Sequence, residues 1–444
     1  MKHLGLAAAA CLAATPLLAQ DATGPGDRHN PIDVIRPDAP ELAAFGEHPV
    51  GVRTMEFTDP GRVDIVNTTA EGEPPTYDRP LTVEVWYPAA DGTEPGGTYT
   101  TLLRDGETEV TLSGRAARDA APAEGTYPLV IISHGYPGNR FLMAHLGENL
   151  ASKGYVTASI DHTDSMYQDM GVFPSTLVNR PVDQAFVVNE LTALDDEMGA
   201  LIDDENVGVV GYSMGGYGAL IYAGAGLSQA AIDRTDPPQY NAPQGLLARN
   251  LAGSAEHDAL VDERVKAVVA IGPWGRNRDF WDADGLAGIA KPLMIVAGGA
   301  DDVSEYDAIR EIFAETTGTE RWLLTFENAN HNAAAPMPAP AESYAVSETL
   351  GWAPFEHYGD AVWDNVRMNN ILAHFVTAFM DANLKGEAEK AAFLDVPVEN
   401  ANDAVTSEAE DGTPNADDTS WPGFADRTAK GLRLEHRMQG DTAN

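Results

Sequence analysis

Residues 211–216 read GYSMGG and directly follow the apolar run at residues 207–210. A serine in the pattern G-x-S-x-G, placed between a strand and a helix, is typical of a nucleophile elbow. The glycines remove side chains where the turn is sharpest, so the hydroxyl of Ser213 projects into a cleft. We therefore interpret Ser213 as a nucleophile, with a glycine-rich structural turn as the alternative.

A serine hydroxyl is a weak nucleophile unless a positioned base accepts its proton. In chains with such an elbow the acid and then the histidine follow the serine. His331 lies in the loop after the apolar run at residues 322–326 and fits this order. The competing histidines stand in a glycine-rich loop, in two excursions or in a late helix: His134, His257, His357 and His374. We predict that His331 is the base.

Two acids compete to orient this histidine. Asp301 and Asp302 share the loop after the apolar run at residues 293–297. Side chains of successive residues at a strand's end point in opposite directions, so only one carboxylate can reach His331. We favour Asp301 as the catalytic acid, and Asp302 remains the alternative.

Residues 133–140 read SHGYPGNR and end another apolar run. Acyl transfer needs two backbone N–H groups directed at the developing oxyanion. One is expected from Met214, the residue after the nucleophile. The other is expected from Tyr136, because Pro137 has no N–H to donate. The alternative is an ordinary Gly/Pro turn.

Short apolar strands alternate with helices along most of the chain, which predicts an α/β fold with a mostly parallel sheet and helices on both faces. The strands are expected at residues 129–132, 155–160, 207–210, 265–271, 293–297 and 322–326, after an antiparallel opening at 50–57 and 81–88. Helices are expected at residues 139–152, at 182–203 and from Trp363. Two excursions, 226–262 and 333–360, leave the carboxyl ends of the strands and are candidates for a cap and a pocket wall.

Several of these segments together resemble the α/β-hydrolase superfamily. Residues 133–140, 150–156 (LASKGYV) and the pair Asp161–His162 are similar to the branch that holds platelet-activating-factor acetylhydrolases and bacterial predicted dienelactone hydrolases. Cutinase-like polyester hydrolases share a Gly-Tyr loop, a Ser-Met-Gly-Gly elbow and a Pro-Trp pair, here Pro273–Trp274. The resemblance covers about residues 50–385 and supports Asp301 as the acid, since the family's acid is followed by a short residue and a Val.

This resemblance implies an α/β-hydrolase fold with a small cap. It also implies that the protein is a serine carboxylic-ester hydrolase that works through an acyl-enzyme, on aromatic esters or polyesters. Dienelactone hydrolases carry Cys where this chain has Ser213, so dienelactone is not the expected substrate. Trp274 is expected at the rim of the pocket, either stacking on an aromatic acyl group or filling cap contacts. A serine peptidase or amidase, or a silent binding protein on the same fold, are the alternatives.

No cofactor and no metal are expected, because triad chemistry needs neither. The carboxylates and imidazole at residues 161–164 (DHTD) are of types that can bind a divalent cation. We favour the alternative, in which these side chains form hydrogen bonds to neighbouring loops. The 444 residues include 68 acidic and 28 basic side chains, for a net charge of -40. This charge repels phosphate backbones, so nucleic acid is excluded as a partner. The expected partner is a small-molecule ester or polyester; the oligomeric state stays open.

Residues 1–19 are expected to form an export signal. Lys2 and His3 precede an apolar run at residues 4–12, and a small residue, Ala19, ends the signal. No later run is long enough for a membrane span. The single cysteine, Cys11, lies inside this signal, so a chain beginning at Gln20 has no disulfide; a lipidated Cys11 is the alternative. We expect a periplasmic or secreted protein. It would comprise an N-terminal extension (20–48), the hydrolase domain (49–398) and an acidic C-terminal extension (399–444).

Overall fold

The computed structural model describes residues 28–442, so the expected export signal, Cys11 and Gln20 lie outside the described part of the chain. The strands are β1 (Val50–Val63), β2 (Thr76–Pro88), β3 (Gly97–Leu102), β4 (Glu109–Gly114), β5 (Ala117–Arg118), β6 (Tyr127–Ser133), β7 (Val156–Asp161), β8 (Ile202–Tyr212), β9 (Val265–Ile271), β10 (Leu293–Gly298), β11 (Arg321–Phe326) and β12 (Leu432–Arg437). The α-helices are α1 (Ala144–Ser152), α2 (Phe173–Thr192), α3 (Met214–Tyr222), α4 (Gln229–Ile232), α5 (Ala255–Leu260), α6 (Ala283–Leu286), α7 (Tyr306–Glu315) and α8 (Asn365–Met380).

Ten of these strands form one sheet in the order β12-β11-β10-β9-β8-β6-β7-β2-β1-β5, and β3 and β4 pair separately. The six strands from β11 to β7 in this order are mutually parallel. The strands β2 and β12 that flank them run antiparallel to their neighbours. Because parallel strands end at the same edge, the loops after β6, β8, β10 and β11 meet there.

Both faces of the sheet are covered. Within β6, Val130 and Ile132 belong to one hydrophobic core and Leu129 and Ile131 to the other, as the alternation of side chains along a strand requires. Helices α1 and α8 contribute to the first core, and α2, α3 and α7 contribute to the second. The expected α/β-hydrolase architecture is present in the described chain, with helices on both faces of a mostly parallel sheet.

The helix α2 differs from the helix expected at residues 182–203. It begins at Phe173, nine residues earlier, and continues through Pro181. A proline inside a helix removes one hydrogen bond and is a common boundary signal. Here the turns before it are buried, from Ser175 to Arg180, and this packing outweighs the local cost. The helix ends at Thr192, and the end of the expected helix already belongs to strand β8, which begins at Ile202.

The segment expected as an acidic C-terminal extension supplies an edge strand. Strand β12 pairs with β11 from Leu432 to Arg437, and Leu432 and Leu434 are buried. At the other end of the chain, the backbone N–H of Ile32 donates to the carbonyl of Ser113 in β4. Within residues 28–442, no helix is long and apolar enough to cross a membrane.

Candidate active site

Ser213 occupies the sharp turn between β8 and α3, with φ 55° and ψ -113°. This backbone conformation is rare for a residue with a side chain and stores strain. The flanking glycines are required by space. A Cβ on Gly211 would lie 2.2 Å from the carbonyl oxygen of Gly215, and a Cβ on Gly215 would lie 1.9 Å from that of Ser133. The pattern G-x-S-x-G therefore lets α3 start directly against the end of β6.

His331 and Asp301 reach this serine from the loops after β11 and β10. The hydroxyl of Ser213 donates to Nε2 of His331 at 2.9 Å, and Nδ1–H of His331 donates to Oδ2 of Asp301 at 2.8 Å. The side chain of His331 is 11% exposed, whereas that of Asp301 is fully buried. The structure thus brings three residues from distant parts of the chain into one hydrogen-bonded series with a solvent-accessible imidazole.

The backbone fixes the orientation of Asp301. Its second carboxylate oxygen, Oδ1, accepts the N–H groups of Val303 and Ser304, both at 2.9 Å. The neighbouring Asp302 is exposed and does not contact His331. Of the two acids that the sequence left in competition, Asp301 is the one that the structure places on the imidazole.

Packing also holds the ring of His331. Gly272, at φ 50°, has no side chain; a Cβ there would lie 3.2 Å from the imidazole. Tyr212 lies against the ring, with centroids 5.2 Å apart, and its hydroxyl donates to Oδ1 of Asn332 at 3.1 Å. The side-chain amide of Asn332 in turn donates to the carbonyl of Gly359 at 2.7 Å. The excursion 333–360 is therefore tied to the loop that carries His331.

The two expected oxyanion donors lie on either side of the serine. Neither the N–H of Tyr136 nor that of Met214 has a hydrogen-bond partner within residues 28–442. A Cβ on Gly135 would lie 3.3 Å from the Cβ of Ser213, so the loop after β6 passes directly beside the nucleophile position. The two expected donors thus belong to the loop that passes Ser213 and to the residue that follows it.

Trp274 lies close to the serine but is not an open rim residue. The backbone N–H of Trp274 donates to the carbonyl of Ser213 at 3.3 Å, and the residue is only 8% exposed. The rings of Phe173 and Tyr240 pack against the indole with centroids 5.4 and 5.5 Å away. Phe173 also contacts the ring of Tyr136, at 5.0 Å. Phe173 and Tyr240 are half-buried, whereas Trp274 is buried, so these two rings form the more exposed part of an aromatic cluster.

The polar cluster at residues 161–164 forms structural contacts. Asp161 accepts the backbone N–H of Arg140 at 2.6 Å and also binds its guanidinium. Asp164 accepts a hydrogen bond from Arg79 at 3.0 Å. His162 lies between these two acids in sequence, but its ring makes different contacts.

His162 belongs to a second series of Ser, His and Asp that the sequence analysis did not find. The hydroxyl of Ser133 donates to Nε2 of His162 at 2.8 Å, and Nδ1–H donates to Oδ2 of Asp183 at 3.0 Å. Asp183 also accepts hydrogen bonds from Arg62 and Arg79, each at 2.9 Å. The only sequence signal was the placement of Ser133 and His162 at the ends of adjacent strands.

Burial and charge set the protonation of this second series. Burial lowers the pKa of His162 to about 3, and nearby arginines act in the same direction. Burial alone would raise the pKa of Asp183, but Arg79 and Arg62 hold it well below its usual range. At neutral pH the imidazole is therefore neutral and the carboxylate is charged.

The chain is similar to known proteins over part of its length. Residues 115–242 match the family model described as "PETase: PET hydrolase-like". This segment contains Tyr136 and Ser213 but neither Asp301 nor His331. The chain is 25% identical to Cutinase est1 of Thermobifida alba over 213 residues, which are 46% of this chain and 54% of that protein.

Two further relatives extend this similarity. A bis(hydroxyethyl) terephthalate hydrolase of Streptomyces coelicolor is 22% identical over 227 residues, 51% of this chain and 57% of the relative. The chain thus spans about half the length of these curated relatives. The structure of a ferulic acid esterase from Streptomyces cinnamoneus superposes with a TM-score of 0.53 at 21% identity, covering 79% of this chain and 94% of that one. The α/β-hydrolase fold and the resemblance to cutinase-like proteins are confirmed.

Proposed function

We propose that this protein is an exported carboxylic-ester hydrolase with Ser213 as nucleophile, His331 as general base and Asp301 as the orienting acid. The observation that carries the proposal is the hydrogen-bonded series from Ser213 through His331 to Asp301, built on a serine in a strained elbow. Strained backbone that the surrounding structure maintains is concentrated at functional sites.

In the first half of the reaction, Nε2 of His331 accepts the hydroxyl proton while Oγ of Ser213 attacks the ester carbonyl. The carbonyl π electrons move onto oxygen and form a tetrahedral oxyanion. When the intermediate collapses, the C–O bond to the alcohol breaks and His331 gives its proton to the leaving alcohol. Asp301 stabilises the imidazolium that exists between these two transfers.

In the second half, His331 accepts a proton from water, and the resulting nucleophile attacks the acyl-enzyme. Collapse of the second oxyanion breaks the bond to Oγ, and His331 returns the proton to Ser213. The acid product leaves and the enzyme is regenerated. No cofactor or metal is needed, because each proton and electron pair is accounted for by these residues and water.

The N–H groups of Tyr136 and Met214 are proposed as the oxyanion hole. Both flank Ser213 and neither is used within the described chain. Preorganised donors of this type are worth about 10²–10³-fold in kcat each, because they stabilise charge that develops only in the transition state.

We propose esters with an aromatic acyl group as the substrate class, with Trp274 as a substrate-binding residue. Aromatic rings surround the indole, and aromatic groups pair favourably with one another at centroid distances of about 4.5–7 Å. The names of a terephthalate ester hydrolase and a ferulic acid esterase among the relatives support the same class. Phe173 and Tyr240 partly cover the indole, which favours small esters over a polymer surface.

A substrate panel tests the proposal. It contains 4-nitrophenyl esters of graded acyl length, bis(hydroxyethyl) terephthalate, a polyester film and a 4-nitroanilide, each assayed with the wild type and with Ser213→Ala. We expect turnover of the esters, with the highest kcat/KM on aromatic acyl groups, and no turnover by the variant. Anilide turnover equal to ester turnover would favour a peptidase or amidase, and no turnover at all would favour a binding protein.

The role of Trp274 has a matched control within the same cluster. Trp274→Ala should raise KM for aromatic acyl esters more than for aliphatic ones. Trp281 packs on Tyr217 in the deeper part of the cluster, so Trp281→Phe should leave the ratio of the two KM values unchanged. Equal changes of both KM values in Trp274→Ala would reject a binding role.

Export is proposed from the sequence of residues 1–19. Mass spectrometry of the protein recovered from the periplasm and the medium should find Gln20 as its first residue. A chain that begins at a lipidated Cys11 would place the enzyme on a membrane and contradict this proposal.

A further inference from the structure

Arg180 is a buried arginine on α2 that contacts the loop after β6. It is 1% exposed, and its guanidinium donates to the carbonyl oxygens of His134 and Gly135, the second at 3.3 Å. It also donates to the hydroxyl of Ser165 at 2.8 Å. Within the described chain, the guanidinium of Arg180 donates to these oxygens and to no carboxylate. A buried cation whose hydrogen bonds go to backbone carbonyls is suited to holding peptide planes.

The contact with Gly135 determines where a neighbouring N–H points. In a trans peptide the C=O of one residue and the N–H of the next are directed in opposite senses. The carbonyl of Gly135 is turned toward Arg180, so the N–H of Tyr136 is turned away from it. Nδ1–H of His134 donates to the same carbonyl at 2.7 Å and reinforces this orientation.

The loop needs such a restraint because Gly135 is a glycine. A Cβ at this position would lie 3.1 Å from the ring of Tyr212 and 3.3 Å from Cβ of Ser213, so any side chain there would push against the nucleophile and its neighbour. Glycine, however, gives the peptide that follows it more rotational freedom than any other residue. Rotation of that peptide would replace the N–H of Tyr136 by the carbonyl of Gly135 on the side of the nucleophile.

The same helix also holds the segment that carries the other donor. Gln184, four residues after Arg180 and therefore on the same face of α2, donates to the carbonyl of Gly215 at 3.1 Å. Gly215 follows Met214 at the start of α3. One face of α2 thus contacts both segments that flank Ser213.

We propose that Arg180 is a positioning residue of the oxyanion hole, which locks the peptide between Gly135 and Tyr136 with its N–H directed at the substrate. The inference rests on the proposed ester hydrolysis. Arg180 does not touch the substrate and acts through the loop.

The test compares Arg180→Met and Arg180→Lys with Arg321→Met. Arg321 is the matched control, since it is also fully buried and donates to backbone carbonyls, among them that of Phe313, at a site remote from Ser213. For each protein we would measure thermal unfolding, kcat and KM on a 4-nitrophenyl ester, and the Ki of phenyl trifluoromethyl ketone. This ketone forms a tetrahedral oxyanion with a serine and reports on the oxyanion hole directly.

A single oxyanion donor is worth about 10²–10³-fold, so Arg180→Met should lower kcat by about 100-fold, with KM changed less than about threefold. The Ki of the ketone should rise by a factor similar to the fall in kcat. Arg180→Lys retains the charge but reaches only one carbonyl, and about a tenfold loss is expected. Arg321→Met should unfold at a lower temperature yet keep its kcat within about twofold, because Arg321 is remote from Ser213 and distant sites without shared partners act independently.

Folded Arg180 variants with wild-type kcat and Ki would overturn the inference. So would loss of folding in both variants, because that result would assign Arg180 to stability alone. Absence of ester turnover in the wild type would instead reject the proposed function, so the two failures are distinguishable.

Discussion

Residues 28–442 contain two hydrogen-bonded series of Ser, His and Asp, and within this part of the chain they differ in the surroundings that catalysis requires. The series Ser213–His331–Asp301 has O···N distances of 2.9 and 2.8 Å. The series Ser133–His162–Asp183 has distances of 2.8 and 3.0 Å. Connectivity and bond length therefore do not distinguish the two.

The serines differ in backbone and access. Ser213 stands on an elbow with positive φ, and within the described chain the nearby N–H groups of Tyr136 and Met214 have no hydrogen-bond partner. Ser133 is the last residue of strand β6 and is fully buried. The hydroxyl of Ser213 thus lies next to a solvent-accessible imidazole, whereas the hydroxyl of Ser133 is enclosed by the core.

The acids differ in how much of their charge is available to the histidine. Asp301 accepts two backbone N–H groups in addition to His331, and among residues 28–442 His331 is its one ion-pair partner. Asp183 is bound by Arg62 and Arg79, which already compensate its charge. With the pKa of His162 lowered to about 3 by burial, this second imidazole does not take up a proton at neutral pH. The candidate triad is therefore defined by the accessibility of its histidine and by an acid that no arginine of the described chain neutralises, rather than by connectivity.

The largest expected effect separates the two serines. Ser213→Ala should lower kcat on a 4-nitrophenyl ester by about 10⁶-fold, because triad residues act as a unit. Ser133→Ala should keep kcat within about threefold and cost about 1 kcal/mol of stability, the size of one hydrogen bond. A fluorophosphonate probe should label the wild type and Ser133→Ala only. Labelling of Ser213→Ala would place the nucleophile elsewhere.

The acids provide the second test. Asp301→Asn should lower kcat by about 10⁴-fold, since the amide no longer accepts the Nδ1–H and disfavours the productive tautomer. Asp302→Asn, one residue further and exposed, is the matched control and should stay within about twofold, as surface substitutions do. Steady-state kinetics at pH 7.5 decide between them; the reverse order would move the catalytic acid by one position.

A third substitution should act on stability instead. Asp183→Asn removes the buried carboxylate that Arg62 and Arg79 share, so within the described chain Arg62 keeps only Asp59 and Arg79 only Asp164. Breaking a buried ion pair costs about 3–5 kcal/mol. Urea unfolding at pH 7 measures this change. Asp302→Asn should shift the free energy of unfolding by no more than about 0.5 kcal/mol. A loss below about 1 kcal/mol for Asp183→Asn would show that the ion pairs are dispensable.

The smallest expected effect is a change in pH dependence. The pKa of His162 is about 3 in the folded protein against 6.5 normally, so below pH 6.5 the unfolded chain binds a proton that the folded chain does not. Stability is therefore lost as pH falls, by about 2 kcal/mol between pH 7 and pH 5 through this residue. In His162→Gln that part of the loss should disappear, as measured by urea unfolding at both pH values. The other buried histidines remain in both proteins and cancel; an unchanged difference between the pH values would contradict the assignment.

Local patterns in the sequence were sufficient for the elbow and for the sheet. The pattern around Ser213 is a backbone requirement, because Gly211 and Gly215 leave no space for a Cβ. The apolar runs are continuous rather than alternating with polar residues, because parallel strands are covered on both faces. Ser213, the acid and His331 come in this order along the chain because they follow strands β8, β10 and β11, which end at the same edge of the sheet. These features depend on residues close to one another in sequence, or on a repeated pattern.

Tertiary structure decided the rest. The choice of Asp301 over Asp302 depends on which carboxylate the N–H groups of Val303 and Ser304 hold in place. The helix α2 begins before Pro181 because the residues from Ser175 to Arg180 are buried against the rest of the fold, a contact that no local propensity encodes.

The same holds for the residues whose partners are remote in sequence. Trp274 is covered by Phe173 and Tyr240, which arrive from two separate segments. His162 is distinguished from His331 only by what surrounds it. The sequence by itself determined which residues have the chemistry and the backbone for catalysis; tertiary structure decided which of them remain accessible, because burial and neighbouring charge arise from contacts between distant parts of the chain.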